Sequence, residues 1–321
     1  MDLLSDILNL MKLSGTLYFR TSFISPWAVE VPRFENASRF HYAHRGRCFI
    51  HVDGLADPVL LQQGDLIIVP HGARHIMADP VDTPPQTVDA VVAASGFTGS
   101  GTLVYGPMDG DTGTGFETQL ICGQFAFDTG AWHRLLDALP PAIVISDYSG
   151  AAPDWLDNSL RIIGAEAGHD AMGADLIALK MSEIIFTQAI RKYLETDGAN
   201  RPGLAGFADT HISRALEAMH ADPAQDWTVE SLAQIAGMSR TVFATRFSMT
   251  VDSPPLAYLT DWRMQLARRM LLDTDLSIIE IAERTGYTSE ASFGRVFKRH
   301  FDAPPAGYRR TGGEIGGGIA V

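Results

Sequence analysis

The C-terminal third of this 321-residue chain contains one folding unit twice, and that repetition restricts the possible folds more than any other feature. The first copy runs from Thr228 to Phe247 and the second from Ser277 to Phe297. Leu232-Ala233 matches Ile281-Ala282, Gly237 matches Gly286 and Met238 matches Tyr287; with one inserted residue, Phe243 and Phe247 match Phe293 and Phe297. Thr228 with Ser231, and Ser277 with Glu280, have the spacing that caps a first helix. The glycine of each copy stands where the chain must leave that helix in a left-handed conformation. Ser239 and Ser289 then cap a second helix, whose phenylalanines at i and i+4 supply a buried stripe. Two short helices joined at a glycine turn read as a helix-turn-helix.

The remaining positions of the second helices face outward. In the first copy these are Arg240, Thr241, Ala244 and Thr245, with Arg246 near the edge; in the second, after Ser289, they are Glu290, Ala291, Gly294, Arg295 and Lys298. Such side chains suit double-stranded DNA. Arginine bonds guanine bidentately, Thr and Ala methyls contact thymine, Glu accepts from cytosine, and lysine meets phosphate. A solvated helix face would explain one copy, but duplication argues against that account for both. Between the copies, Pro254-Pro255 and then Leu256 to Leu272 read as one helix with Leu256, Leu259, Trp262, Leu266 and Met270 buried and Arg263, Arg268 and Arg269 outside. Such a strut spans roughly 25 Å, fit to hold two reading helices about one DNA turn apart.

The formal charge of −13 opposes nucleic-acid binding only as an average. Residues 1–208 hold 24 acidic and 13 basic side chains, whereas residues 209–321 hold 14 and 12. From Arg284 to Arg310 there are six basic residues and two acidic ones. The negative excess belongs to the N-terminal part.

That part reads differently. From about Leu17 to Asp128, short β-rich runs alternate with Gly46, Asp53-Gly54, Gly64-Asp65, Pro70 and Gly72, which suggests a sandwich or barrel. Helical periodicity follows over Trp132–Leu139, Asp154–Ala167 and Ala174–Glu195. The last carries Ile177, Met181, Ile184 and Ile185, and reads either as a dimer-interface helix or as one packed on its own barrel. The expected organisation is multidomain α+β: a β-barrel over 1–130, a helical extension over 131–196, a Gly- and Pro-containing linker over 197–209, an all-α tandem helix-turn-helix domain over 210–311 and a flexible tail over 312–321. Two cysteines are too few for a disulfide framework. No apolar run approaches the ~18 residues of a membrane helix, and a cytoplasmic protein without a membrane partner is expected.

The helical domain resembles the AraC/XylS family of bacterial transcription regulators. Ile281-Ala282, Gly286-Tyr287, Ser292-Phe293, Arg295, Phe297-Lys298, Phe301, Pro304 and Tyr308-Arg309 carry the resemblance, with departures at Asp302 and Gly294. Upstream, Gly64 to His75 has the spacing G-x5-P-x-G-x2-H and is similar to the second motif of cupin barrels, whereas His41 to Gly46 keeps only the last glycine of the first motif. Arg39 falls where the cupin metal carboxylate is usual. Cys122-Gly123, the run Leu135 to Pro141, and Met219 to Pro223 before Trp227-Thr228 extend the likeness to regulators with a cupin-like sensing domain. The resemblance implies sequence-specific DNA binding without enzymatic activity, activation through RNA polymerase, a small-molecule or metal effector and a homodimer.

His41, Cys48, His75 and Cys122 remain as a candidate zinc set; no other cofactor is expected. His41 and Cys48 are an odd number apart, so a turn or bulge near Gly46 is required for them to share a face. Plain buried cysteines are the alternative. The rival functions are a cupin metalloenzyme fused to a DNA-binding domain and a constitutive DNA-binding protein with a structural barrel.

Overall fold

In the computed structural model, residues 2–98, 101–107, 115–146 and 172–313 are described. The helix expected over 154–167 and residues 314–321 of the expected tail lie outside them. The chain opens with α1 (Leu3–Leu10), then β1 (Ser14–Ile24), β2 (Trp27–Val31), β3 (Ala37–Arg45) and β4 (Arg47–Val52). There follow β5 (Val59–Gln62), β6 (Leu66–Val69), β7 (His75–Asp79), β8 (Gln86–Thr87), α2 (Val88–Ser95), β9 (Thr102–Tyr105) and β10 (Glu117–Ala126). Next come α3 (Arg134–Asp137), β11 (Ile143–Ile145), α4 (Ala174–Glu195), α5 (Ala205–Ala208), α6 (Thr210–Ala221) and α7 (Val229–Ile235). The helical run ends with α8 (Arg240–Val251), α9 (Pro255–Asp273), α10 (Ile278–Arg284), α11 (Glu290–Phe301) and α12 (Pro305–Arg310).

These elements form two compact units that no single cut separates. Leu13–Phe127 joins Leu139–Lys192, while Met1–Lys12 and Asp128–Ala138 join Tyr193–Val321. In the first unit one sheet has the order β11-β6-β3-β10-β1-β9 and the other β5-β4-β7-β2-β8. The β-branched run of β6 is buried at all four positions, as a central strand requires. Gly46, at φ +77°, makes the left-handed turn between β3 and β4. That turn offsets the parity mismatch, so His41 on β3 and Cys48 on β4 are both buried. The inner faces meet in a core that includes Phe23, Trp27, Ala43, Ile50, Leu61, Ile67, Val69, Met77, Leu103 and Leu120. Along α4, Ile185, Phe186, Ala189 and Ile190 are buried, and the Phe186 ring lies 4.8 Å from that of Phe125 on β10. Leu176, Ile177 and Ile184 on the same helix stay exposed.

The helical unit has two cores. Ile212, Leu216, Leu232, Ala233, Phe243 and Phe247 build one, joined by Leu3 of α1; Ile281, Ala282, Phe293, Phe297, Phe301 and Tyr308 build the other. Helix α9 serves both, through Tyr258 and Leu259 in its first half and Met264, Ala267 and Leu271 in its second. Its 19 residues span about 28 Å. The expectations for this helix are corrected at several positions. Leu256 is exposed, Leu266 and Met270 are only half-buried, and Arg263 is half-buried where it donates to the Pro223 and Gln225 carbonyls. Arg268 is 1% exposed because it ion-pairs with Asp128 at 2.8 Å, donates to the Tyr308 hydroxyl at 3.1 Å and donates to the Thr129 carbonyl.

Other residues of the distant segments fasten to the same side of α9. Arg134 pairs with Asp261 at 2.9 Å, and the Trp132 amide donates to Gln265 Oε1 at 3.2 Å. From the N-terminus, Lys12 pairs with Asp273 at 2.6 Å, and the Asn9 carbonyl accepts from Arg269 at 3.0 Å. Beneath these contacts runs a buried proton chain with one consistent direction. The Leu135 amide donates to His133 Nδ1 at 3.1 Å, so the neutral ring carries its proton on Nε2 and donates to the Tyr258 hydroxyl at 3.2 Å. Tyr258 in turn donates to His220 Nε2 at 2.7 Å, and the His220 ring stacks on Trp262 at 3.7 Å. Tyr258→Phe strands both imidazole nitrogens and is expected to cost about 1–3 kcal/mol in urea unfolding. A loss below a few tenths of a kcal/mol would show that the chain contributes nothing.

Candidate nucleic-acid interface

Matched local chemistry sets the two helix-turn-helix units. Thr228 with Ser231 and Ser277 with Glu280 complete reciprocal capping boxes, and Ser239 and Ser289 accept from the amides of Val242 and Ser292. Gly237 and Gly286 turn the chain at φ +67° and +78°. The paired rings lie 5.6 Å apart for Phe243–Phe247 and 5.7 Å for Phe293–Phe297, all fully buried. This repeated packing pins one face of α8 and one face of α11, which leaves their other faces outward.

On α8, Arg240, Thr241, Thr245 and Arg246 are exposed and Ala244 is half-buried; on α11, Glu290, Arg295 and Lys298 are exposed, as is the cap Ser289. At Gly294 a Cβ would meet nothing within 4 Å, so the helix surface there is open to close approach. Among the described residues Arg240, Arg295 and Lys298 have no ion pair, whereas Arg246 is held by Asp209 at 2.5 Å. That carboxylate also accepts from the His211 and Ile212 amides, and these bonds with the Arg246 guanidinium hold its pKa below the usual range. Arg246 is therefore tied to the start of α6 rather than extended. Two outward apolar residues, Val242 at 54% and Met249 at 70% exposure, were not singled out from the sequence. Their spacing from Thr245, three and four residues, was the available signal. Lys298 and Arg299 lie in the last turn of α11, where cations complement the helix dipole.

The four zinc candidates sit in the barrel unit, buried, but do not converge on one point. His75 Nδ1 donates to the Ala73 carbonyl at 2.9 Å, so its Nε2 accepts from His41 Nε2 at 2.8 Å. His41 Nδ1 is then the acceptor for the Cys122 thiol at 3.1 Å, across the β3–β10 register pair. His41 thus spends its two nitrogens on different partners. Cys48 lies in the same apolar core, paired in register with Leu61. Burial holds the His75 imidazole down at about 4 and pushes the Cys122 thiol up to about 12, so both are neutral. Among the described residues no group of three or more His, Cys, Asp or Glu side chains is arranged to hold a metal ion. The donor set, with His41, His75 and Cys122 bonded to one another and Cys48 among apolar side chains, does not fit a tetrahedral ion.

A cupin family model matches residues 2–195, and a helix-turn-helix domain model matches residues 232–311. An AraC-like transcription regulator of Streptomyces lividans is 35% identical over 97% of this chain and 98% of its own length. The chain belongs to the AraC family of transcriptional regulators. The HTH-type transcriptional regulator AlkR of Acinetobacter baylyi is 31% identical over 97% of this chain and 99% of its own. Among solved structures, the DNA-binding domain of AdpA in complex with a target DNA is 33% identical and covers 30% of this chain and 87% of its own, with a TM-score of 0.30. This AraC-family chain thus joins an N-terminal cupin domain to a C-terminal DNA-binding domain, and its relatives are transcription regulators, not enzymes. Among the described residues no helix is long and apolar enough to cross a membrane.

Proposed function

We propose that this regulator reads double-stranded DNA with α8 and α11 and activates transcription when a small molecule occupies its barrel unit. One observation carries the DNA reading. Arg240, Arg295 and Lys298 stand exposed, without ion pairs among the described residues, on the two helices that the matched phenylalanine pairs anchor: Arg240 in the first turn of α8, Arg295 and Lys298 turned away from the rings of α11. Arg240, Thr241, Ala244 and Thr245 meet base edges from the first unit; Ser289, Glu290, Gly294 and Arg295 do so from the second. Lys298 meets phosphate, and Arg246 acts through Asp209 by fixing α6 against α8. The exposed apolar residues Leu176, Ile177 and Ile184 of α4 support pairing into a homodimer, which doubles the contacts of a DNA-binding half with little net charge. Activation proceeds through contact with RNA polymerase. The effector acts by binding one presentation of the reading helices better than another, and the coupling equals that difference in affinity.

Sequencing the genomic fragments retained by the full-length protein gives the operator. Arg240→Ala is expected to reduce discrimination between that operator and random DNA by about 1–3 kcal/mol. Lys298→Ala should weaken both kinds of DNA alike and lower the salt slope by about one. Unchanged discrimination in Arg240→Ala removes that residue from base reading, and an unchanged slope removes Lys298 from phosphate.

A further inference from the structure

The six-stranded sheet carries a cavity of about 120 Å³ on the face turned away from the barrel core. Alternation along the strands places it there: Phe23, Ala43, Leu103 and Leu120 belong to the core, and Arg20, Ser22, His44, Thr102, Gln119 and Ile121 line the cavity, which Thr21 and Leu120 also border. Arg20 is the anomaly. Its Nε is shut off from solvent without a hydrogen-bond partner, and its guanidinium is in no ion pair among the described residues. A buried donor left unpaired is costly, and most such groups in folded proteins have found a partner.

The neighbouring carboxylate does not supply one. Glu117 accepts from Ser22 at 2.6 Å and from Gln119 at 2.9 Å, and its other oxygen faces Arg45 at 3.5 Å. Those bonds hold the Glu117 carboxyl below its usual range, so it is charged and engaged elsewhere. On the opposite side His44 has its pKa lowered by burial and by the positive Arg20, so the ring is neutral beside it. The cavity therefore offers one uncompensated positive charge, a neutral imidazole, the Thr102 hydroxyl and an apolar wall from Ile121.

We propose that this cavity binds a small monocarboxylate, its carboxylate seated on the Arg20 guanidinium. The guanidinium fork matches a carboxylate bidentately. A single charge with Glu117 nearby suits a monoanion better than a dianionic phosphate. The volume has room for a carboxylate with a few carbons against Ile121. That this ligand is the effector rests on the reading of the barrel as the sensing domain. The binding itself does not.

The test is calorimetric titration of the full-length protein with acetate, butyrate, benzoate and inorganic phosphate at matched ionic strength. Saturable binding of at least one carboxylate is expected, tighter than that of phosphate. Arg20→Gln should weaken it by about tenfold or more, while Arg33→Gln leaves it unchanged. Thr102→Leu, which fills the mouth from the exposed strand β9, keeps the test open should Arg20→Gln fail to fold, and is expected to weaken binding as well. Overturning results are no saturable carboxylate binding at millimolar concentration, equal binding by both cavity variants and wild type, or preference for phosphate. Operator affinity measured on the same samples separates the two readings. Operator binding without carboxylate binding removes the site and leaves the regulator, whereas carboxylate binding with no change in operator affinity keeps the site and removes its role as sensor.

Discussion

Gly286→Val is expected to destabilise the helical unit by about 3 kcal/mol or more and to abolish DNA binding, while Gly237→Ala at the equivalent turn costs about 1 kcal/mol. Both glycines are left-handed, so each substitution carries the backbone penalty of an L residue at positive φ. Only the second turn adds a collision. A Cβ at Gly286 would lie 2.6 Å from Arg263 Nη2 and 2.8 Å from the Ala224 carbonyl oxygen. The Arg263 side chain cannot swing aside cheaply, because it donates to the Pro223 carbonyl at 2.6 Å and the Gln225 carbonyl at 2.8 Å. At Gly237 the nearest atom is His211 Nδ1 at 3.9 Å, which is ordinary contact. Urea unfolding of the full chain, with operator binding followed in parallel, measures both. Equal losses at the two turns would show that the close packing at Gly286 relaxes without cost.

The same pair of glycines shows how far the sequence could be read. Their role as helix-ending turns followed from local chemistry, because capping residues, a positive-φ glycine and phenylalanines at i and i+4 act within one helical hairpin. Their unequal surroundings did not, because Arg263 and Ala224 approach Gly286 from other parts of the chain. Arg268 illustrates the limit again. Helical periodicity places a charged residue outside by default, and only the arrival of Asp128, Thr129 and Tyr308 makes its burial favourable. Nothing in the local pattern announces a partner 140 residues away. The non-contiguous make-up of the helical unit was invisible for the same reason. A linear reading assigns α1 and residues 128–138 to the barrel that surrounds them in sequence, whereas their ion-pairing and apolar groups and the Asn9 and Thr129 carbonyls are used against α6 and α9. In the barrel, the residue types suit a metal, and the odd spacing of His41 and Cys48 requires the turn found at Gly46. Tautomers decide the outcome there. Once the Ala73 carbonyl accepts from the His75 Nδ1–H, the remaining donors and acceptors of His41 and Cys122 close on one another rather than on an ion.

Four buried imidazoles make acidification from pH 7 to pH 5 the strongest expected perturbation of both units. His41 and His75 lie in the barrel unit, His133 and His220 in the helical unit, and burial is the main force holding all four below their ordinary pKa, His75 at about 4 and His220 at about 3. The Asp6 carboxylate, 3.7 Å from His220 Nδ1, is too far for a good hydrogen bond and does not offset that burial. In the unfolded chain the same rings take up protons near pH 6.5. Below that value the unfolded state binds more protons than the folded one, so stability falls as pH falls. At pH 5 His75 and His220 each contribute a loss of about 2 kcal/mol, because one pKa unit is worth about 1.4 kcal/mol, and His41 and His133 act in the same direction. Carboxylates do not set this window. Those with lowered values, among them Glu117, Asp209 and Asp261, lose their contribution only as pH drops below the ordinary carboxylate range, and Asp6, whose value is raised, sheds its penalty as pH falls toward that range and so offsets the loss slightly. Denaturant unfolding of the full chain across pH 7.5 to 5 reads the slope in each transition. His220→Gln is expected to remove about one proton of that slope from the helical unit, and His75→Gln about one from the barrel unit. A wild-type stability that stays flat between pH 7 and pH 5, or slopes untouched by both substitutions, would mean that these histidines are not held neutral by their burial.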